Sequence, residues 1–249
     1  SEAKIKAHVH CVIIGFAAFD RPEKVIYQGE RVIKVQNINA YLCDAPNVLV
    51  ESRNKPLYNV SPMVYGNKPA DGGYLIIEDK DYEQFIEADP QAKQFIKPFL
   101  GAAEYLHGKK RWCLWLKDAD PHELRKCPMI LERVKKCRET RLNSVAAAIR
   151  KFAETPTLFA QITQPMNVNY IIVPRVSSER RKYIPMGFLD SSTIVSDAVQ
   201  IVPNATLYEF GIITSNVHMA WMRAVCGRLK SDYRYSKDVV YNNFPWPAP

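Results

Sequence analysis

The amino-acid sequence predicts an α+β fold, in which a small mixed or antiparallel sheet is flanked by helices. Short apolar segments separated by turn residues lie between positions 169 and 202, which is typical of a small sheet. Apolar residues recur at helical spacing on both sides of this region. With 249 residues, of which 47% are hydrophobic and 24% charged, the chain is long enough to bury a core. We therefore expect one large domain, or one domain with a fragment attached.

The charge balance favours a polyanionic partner, because the formal net charge is +8. Many basic proteins never bind nucleic acid, however, so the charge supports such a partner without proving it. The six cysteines form no C-x-x-C pair, and the sequence has neither a signal-peptide pattern nor an apolar run of about 18 residues. Reduced thiols, a cytoplasmic location and no membrane contact are expected.

The N-terminal segment 8–16 is a continuous apolar run, which predicts a strand buried on both faces. Such a strand needs neighbours that few preceding residues could supply. The chain is therefore expected to begin inside a domain whose main body lies outside it. Residues 23–35 alternate apolar and polar side chains around a central turn and predict a hairpin. We place a domain boundary at Asn37, which separates region 1–36 from region 37–249.

The next part of the chain predicts loops, two helices and a strand. Residues 37–77 are rich in proline and turn residues, so regular structure there should be short. Residues 81–99 show helical spacing broken by an Asp-Pro pair, which predicts two short helices. Segment 109–116 opens with three cations and continues as an apolar strand. Trp112 and Trp115 fall on opposite faces of that strand, so at least one of them is expected in the core.

The middle of the chain predicts a short helix after Asp120 and a long one from Pro128 to Phe152. The long helix should bury an apolar stripe. Its other face is basic, with Lys135, Lys136, Arg138, Arg141, Arg150 and Lys151. A solvated helix face explains such a run at least as well as DNA contact does, so this face is a secondary candidate only.

The C-terminal half predicts the small sheet, with strands at 169–176, 181–188 and 193–202. Segment 207–226 is apolar at helical spacing and predicts two helices, with Gly227 as the helix stop. His218 within them is expected to be packed and hydrogen-bonded, because structural histidines are commoner than ligands.

Lys230, Asp232 and Arg234 occupy alternate positions, so in an extended segment they would share one face. A face that mixes cationic donors with a carboxylate acceptor can distinguish base pairs in the major groove, whereas a purely basic face can only bind phosphate. Tyr233 and Tyr235 would occupy the opposite face. A hairpin edge charged to discourage strand pairing is the alternative, and the pattern leaves both open.

Several separated blocks carry a resemblance to a known family. They read NINAYL, KRWCLWL, PRVSSERR, HMAWMR and GRLKSDYRYS followed by YNNFPWP. In this order they resemble the target-recognition region of the MmeI-like type IIL restriction-modification enzymes. Those enzymes join a nuclease, an adenine-N6 methyltransferase and a DNA-reading domain in one chain. The resemblance runs from about Asn37 to Pro247, and it implies that region 1–36 is the C-terminal remnant of a methyltransferase domain.

The resemblance also implies which residues read bases in double-stranded DNA. Arg175 and Asp197 are expected to read one G·C pair, Ala198 and Arg234 a neighbouring purine, and Lys230 with Asp232 the base beside the target adenine. Because lysine donates and aspartate accepts, the last pair predicts a guanine 3′ of that adenine. The phosphate candidates are the cations and hydroxyls of three segments: Lys109, Lys110, Arg111, Ser177, Ser178, Arg180, Arg181, Lys182 and Arg228. The rest of the parent chain is the other expected partner.

Catalytic motifs are not recognisable in this sequence. A methyltransferase of this family needs a glycine-rich cofactor loop and an Asn-Pro-Pro-aromatic tetrapeptide, whereas residues 243–246 read Asn-Phe-Pro-Trp. His8 and His10 lack a partner at ligand spacing, so no metal site is expected. No cofactor is expected here, while S-adenosylmethionine and Mg²⁺ are expected for the full-length parent. A free-standing metal-dependent enzyme acting on nucleic acid is the alternative function.

Overall fold

The computed structural model describes residues 12–248. The predicted N-terminal strand falls partly outside this range, since residues 8–11 are not described. Residues 12–16 have no regular structure, and Ile13 and Phe16 are exposed. The expected buried strand is thus not formed by residues 12–16, which have no strand to pair with in the described part of the chain.

The strands are short, as expected for loop-rich sequence. In chain order they are β1 Lys24–Gln28, β2 Arg31–Val35, β3 Val64–Tyr65, β4 Ile76–Glu78, β5 Ile96–Leu100, β6 Arg111–Leu114, β7 Tyr170–Pro174, β8 Val176–Ser177, β9 Gly187–Leu189, β10 Ile194–Val195, β11 Val199–Pro203, β12 Gly227–Leu229 and β13 Asp232–Arg234. The predicted hairpin is confirmed, because β1 and β2 pair antiparallel around Gly29, which adopts a left-handed φ of 60°.

The helices are also short. They are α1 Asp79–Ala88, α2 Ala102–His107, α3 Pro121–Arg125, α4 Pro128–Leu142, α5 Ala147–Arg150, α6 Leu207–Ile213 and α7 Asn216–Val225. Segments Pro90–Phe95 and Lys151–Glu154 are 3₁₀ helices, and Lys237–Tyr241 is a single π-helical turn. The Asp120 side chain accepts from the backbone N–H of His122 and caps α3, as its position before Pro121 predicts.

Three sheets form the body of the fold. Sheet I has the order β10-β5-β6-β4, sheet II the order β3-β11-β7-β9, and sheet III the order β12-β13-β8. All neighbours are antiparallel except β10 and β5, which are parallel. The predicted α+β class with small, mostly antiparallel sheets is therefore confirmed.

Two helix predictions need correction. The second helix predicted within 81–99 is instead a 3₁₀ segment followed by β5. Phe95 and Phe99 misled the prediction, because side chains four residues apart share a face in a strand as well as in a helix. The long helix ends at Leu142. Val145, which a helix continuing to Phe152 would place on its buried apolar stripe, is fully exposed.

Arg141 is buried, although its position predicted a solvent-facing cation. Its guanidinium donates to five backbone carbonyls, those of Pro69, Ala70, Phe152, Thr155 and Leu158. Irregular segments otherwise leave such carbonyls without partners. Arg141 therefore fixes loops around the end of α4 and is not part of the basic surface.

The C-terminal segment, residues 241–243, is hydrogen-bonded to a loop that lies far away in the sequence. The Asn243 side-chain amide donates to the Glu51 carbonyl at 2.9 Å, and that of Asn242 donates to the Arg53 carbonyl at 2.6 Å. The Tyr241 hydroxyl donates to the Ser61 carbonyl at 2.6 Å. These contacts order loop 51–61, which has no strand of its own.

Candidate nucleic-acid interface

The loop formed by Ser196, Asp197 and Ala198 lies where the chain leaves sheet I at β10 and enters sheet II at β11. A Cβ atom on Gly66 would lie 2.2 Å from the Ser196 carbonyl oxygen, so only glycine permits this approach. The Asp197 N–H donates to the Asn67 carbonyl at 2.9 Å. The backbone of this loop is therefore fixed, while the Ala198 side chain is exposed.

Arg175 lies beside this loop, directly after β7. Its N–H donates to the Ala198 carbonyl at 3.3 Å, and its Nη1 donates to the Asp197 carbonyl at 2.8 Å. Its guanidinium carbon lies 4.9 Å from the centroid of the Tyr65 ring. The contact between Arg175 and Asp197 is thus through backbone oxygen, and no ion pair between their side chains forms.

The recognition atoms of both residues remain available. Among residues 12–248, the Asp197 carboxylate has neither a salt bridge nor a hydrogen bond, and Arg175 engages Nη1 alone. A bidentate contact to guanine requires two parallel N–H donors of the guanidinium fork. The arrangement therefore presents a donor fork and an acceptor pair side by side.

The C-terminal hairpin β12–β13 joins this site through β8. Arg234 pairs with Val176, and the Tyr235 N–H donates to the Arg175 carbonyl at 2.8 Å. Arg234 is exposed, whereas Tyr233 and Tyr235 on the other face are buried, as the alternation predicts. The backbone therefore brings Arg175, Ala198 and Arg234 into one region.

Lys230 does not share the extended face of Asp232 and Arg234. It lies in the turn between β12 and β13 with a φ of 56°, in the left-handed region. The expectation of three side chains on one strand face is therefore wrong for Lys230, because the chain reverses there. Lys230 is exposed at the hairpin tip, and the carboxylate of Asp232 accepts from the Glu179 N–H at 3.4 Å.

Arg228 lies on the opposite face of this hairpin. It is directly across from Tyr233, and its guanidinium carbon lies 4.2 Å from the centroid of that ring. Its Nη1 donates to the Ser231 carbonyl at 2.9 Å. Since directly paired residues share a face, Arg228 is separated from the side chains of Asp232 and Arg234.

Five of the nine predicted phosphate contacts lie in β8 and in the segment that follows it. Ser177 does not fit the predicted phosphate contact. It is only 2% exposed where β8 pairs with β13, and its hydroxyl cannot reach a ligand at the surface. Ser178 and Arg181 are half-buried, while Arg180 and Lys182 are exposed. The segment is held to α7 because Arg223 donates to the Lys182 carbonyl. Four of these residues remain candidates for phosphate contact.

The three cations at positions 109–111, predicted to contact phosphate, have different surroundings in the structure. Lys109 and Lys110 are exposed after α2. Arg111 pairs with the Glu104 carboxylate at 3.2 Å, and its guanidinium carbon lies 5.0 Å from the Phe99 ring centroid. Arg111 is therefore paired within the protein, and its contact with phosphate stays a prediction.

His218 is fully buried and shares a hydrogen bond of 2.8 Å with the Tyr235 hydroxyl. Burial lowers the pKa of His218 to about 3, so the ring is neutral at physiological pH. The expectation of a packed structural histidine is confirmed. Tyr65, in contrast, was missed, because nothing in the sequence relates it to Arg175, about 110 positions later.

Within residues 12–248, no three His, Cys, Asp or Glu side chains are grouped closely enough to ligate a metal. No helix in the described range has the length and hydropathy needed to cross a bilayer.

Arg175, Asp197 and the charged hairpin β12–β13 thus lie in one region, carried by small and mostly antiparallel sheets, and the family comparison identifies this part of the chain as a target-recognition domain. The sequence profile of this class described as "MmeI, target recognition domain" matches residues 44–248. The chain therefore belongs to the MmeI target recognition domain family, and the resemblance seen in the sequence is confirmed.

Two relatives agree with this assignment. The chain is 39% identical over 248 residues to a protein named DNA methyltransferase A from Bacillus subtilis (strain 168), covering 99% of this chain and 28% of the relative. A solved structure matches with 44% identity and a TM-score of 0.95, over all of this chain and 34% of the solved chain. Its title describes the type IIL restriction-modification enzyme MmeI in complex with DNA. The chain thus spans about a third of the length of these relatives.

Proposed function

We propose that this chain reads the sequence of double-stranded DNA for a type II restriction-modification adenine-N6 methyltransferase, and that it is catalytically inert alone. The observation that carries the proposal is the arrangement of Arg175 and Asp197. Contacts to backbone atoms hold both residues side by side, yet leave Nε and Nη2 of the Arg175 guanidinium and the Asp197 carboxylate unpaired. Arginine can then donate to guanine O6 and N7, and aspartate can accept from cytosine N4.

The hairpin supports the same function. Lys230 adopts a left-handed conformation that costs a non-glycine residue about 1 kcal/mol. Strain of this kind is concentrated at functional sites, and glycine would adopt the turn without it. A lysine at this tip, with Asp232 beside it on β13, supplies a donor and an acceptor for one further base pair.

Phosphate contacts would supply most of the affinity. The net charge is +8, and Lys109, Lys110, Arg180 and Lys182 are exposed. Because neutralised phosphates release counterions, the logarithm of the binding constant should fall with the logarithm of salt concentration by about 0.9 per phosphate. Without the remainder of the longer protein, we expect a Kd of about 10⁻⁴ to 10⁻⁶ M.

The rest of the longer protein is the second proposed partner, and we place the system in the cytoplasm. S-adenosylmethionine and Mg²⁺ belong, in this proposal, to that remainder. Calorimetry with this chain should show no S-adenosylmethionine binding, and incubation with plasmid and Mg²⁺ should produce no nicking. The metal-dependent enzyme considered above has no support in the described residues, which hold no metal-ligating group of side chains.

The experiment that tests the proposal combines fluorescence anisotropy with selection from random duplexes. Affinity should fall steeply between about 50 and 200 mM salt, and sequencing of bound duplexes should reveal a fixed G·C pair. Arg175→Ala should remove the preference at that pair and leave the salt dependence unchanged. Salt-insensitive binding, or selected duplexes without any preference, would refute the proposal.

A further inference from the structure

Tyr65 lies at the centre of a charged cluster beside Arg175. Its ring centroid is 4.9 Å from the Arg175 guanidinium carbon and 5.5 Å from the Lys237 ammonium nitrogen. Its hydroxyl donates to the Asp238 carboxylate at 3.2 Å, and the same carboxylate pairs with Lys237. The ring is therefore held from its hydroxyl end, and one cation contacts it in addition to Arg175.

The backbone around this ring is fixed from two directions. Tyr65 pairs with Gln200 in the next strand. The fully buried Gln200 amide donates to the Tyr235 carbonyl at 3.0 Å and accepts from the Lys237 N–H at 2.7 Å. The Tyr235 N–H in turn donates to the Arg175 carbonyl. The ring and the guanidinium are thus carried by backbone segments that are tied to each other.

Arg175 needs this ring because one hydrogen bond does not fix the plane of a guanidinium. The bond from Nη1 to the Asp197 carbonyl leaves the group free to rotate about the donor–acceptor axis. An aromatic face beneath a guanidinium is attractive and holds the group over the ring. With the ring in place, Nε and Nη2 keep a fixed direction, as a bidentate contact to guanine requires.

We propose that Tyr65 is a positioning residue for base recognition by Arg175. The inference rests on the proposed function and assigns a specificity role to a side chain that itself contacts no base. The aromatic ring is the essential part, and the hydroxyl contact with Asp238 is secondary. Lys237 contributes through the ring and the Asp238 carboxylate, since its own charge is already paired.

The test measures sequence preference in the unmodified chain and in four variants. Selection with the unmodified chain gives the preferred duplex, and Arg175→Ala identifies the base pair that Arg175 reads. Tyr65→Leu should reduce the preference at that same pair about three- to tenfold, and leave the other pairs and the salt dependence unchanged. Tyr65→Phe keeps the ring and should retain the preference. Tyr27→Leu, at a 72% exposed tyrosine of β1, is the matched control and should change nothing.

The outcomes distinguish failure of the positioning role of Tyr65 from failure of the proposed function. If Arg175→Ala abolishes the preference and Tyr65→Leu does not, the positioning role is refuted and the proposed function stands. An equal loss of affinity for all duplexes in Tyr65→Leu would make Tyr65 merely structural. An unmodified chain without any preference would instead refute the proposed function.

A measurement on the free protein covers the case in which Tyr65→Leu does not fold. The side-chain δ protons of Arg175 should be shifted upfield in the NMR spectrum by the Tyr65 ring. The shift should persist in Tyr65→Phe. Unshifted Arg175 protons in the unmodified chain would overturn the inference without any DNA present.

Discussion

The Arg175 region and the β12–β13 hairpin carry similar side chains on very different supports. Arg175 and Asp197 are half-buried, and their backbones are hydrogen-bonded to Asn67, Ala198 and Tyr235 and to the Arg175 guanidinium. The hairpin presents Lys230 and Arg234 to solvent, and its outer strand β12 pairs with β13 alone.

Under the proposed function, base preference and stability should depend on the same hydrogen bonds around Arg175, whereas in the hairpin they should depend on different groups. A change around Asp197 alters hydrogen bonds on which two sheets depend. A change at the hairpin tip alters groups that contact little else, and surface substitutions of this kind usually change stability by less than about 0.5 kcal/mol. Under the proposed function, the hairpin is thus the region in which base preference is expected to change at the smallest cost in stability.

The largest expected effect is that of Gly66→Ala, which tests the fixed region. The new methyl group would overlap the Ser196 carbonyl, so the loop must move or the fold must open. We expect a loss of about 3 kcal/mol in the free energy of unfolding, measured by urea denaturation. Gly211→Ala is the control, because it lies in α6 with open space around it and should be neutral or slightly stabilising. Equal stability of both variants would contradict the fixed loop.

A second effect concerns the buried contact between His218 and Tyr235. Tyr235 follows β13 of the hairpin and is hydrogen-bonded to Arg175, so it belongs to both regions. The pKa of His218 is lowered to about 3 in the folded state. The stability that the neutral, buried ring contributes is therefore complete above about pH 6.5 and is lost as the pH falls. Between pH 6.5 and 4.5, protonation of this histidine in the unfolded state should lower the free energy of unfolding by about 2 to 3 kcal/mol. His218→Gln should flatten this slope.

The control for this measurement is His122, which is exposed in α3. His122→Gln should leave the pH dependence of urea unfolding unchanged. An unaltered slope in His218→Gln would show that another group causes the loss at low pH.

A third prediction changes the hairpin alone. Lys230→Glu combined with Asp232→Arg exchanges donor and acceptor, and should convert the expected 3′ guanine to cytosine in the longer methyltransferase. The change in relative methylation should be about tenfold or larger, because a bidentate contact contributes roughly 1 to 3 kcal/mol of discrimination. Sequencing of the methylated adenines measures it. Each single substitution should perform worse than the pair, because it leaves two like charges at one base-pair edge.

The stability of the double variant separates the two regions. Its free energy of unfolding should stay within about 0.5 kcal/mol of the unmodified chain. An unchanged 3′ neighbour would mean that Lys230 and Asp232 only support the backbone.

The smallest expected effect is that of Lys230→Gly. Glycine adopts the left-handed conformation without strain, so stability should rise by about 0.5 kcal/mol while the base preference at this position is lost. Chemical denaturation and duplex selection measure the two quantities. A gain in stability with unchanged preference would show that the strain at Lys230 has no function.

The sequence predicted the elements that depend on local patterns. The β1–β2 hairpin, the capped α3, the α6–α7 pair and the buried faces of Tyr233 and Tyr235 were all expected, since alternation and capping act over a few residues. Family blocks identified the recognition domain correctly. The roles of the individual base-reading residues stay predictions.

The errors arose where distant contacts decide the structure. Arg141 was assigned to solvent because the carbonyls it binds come from segments that no periodicity connects. The pairing of Arg111 with Glu104 was not expected either, because it depends on the placement of α2 against β6. α7 ends at Val225, just before the expected stop at Gly227, but Gly227 has no left-handed φ, since the extended Cys226 leads directly into β12.

The contacts between the C-terminal segment and loop 51–61 also constrain how the chain folds during synthesis. The side chains of Tyr241 and Asn243 bond to carbonyls that precede them by 180 and 192 positions. At about 5 to 20 residues per second, the ribosome completes these partners roughly 10 to 40 s after the loop has emerged. Until then the loop has no fixed conformation to adopt, because its polar backbone groups lack their partners. The domain therefore completes these contacts only after its own C-terminal segment has been synthesised, and non-local closure of this length favours slow folding.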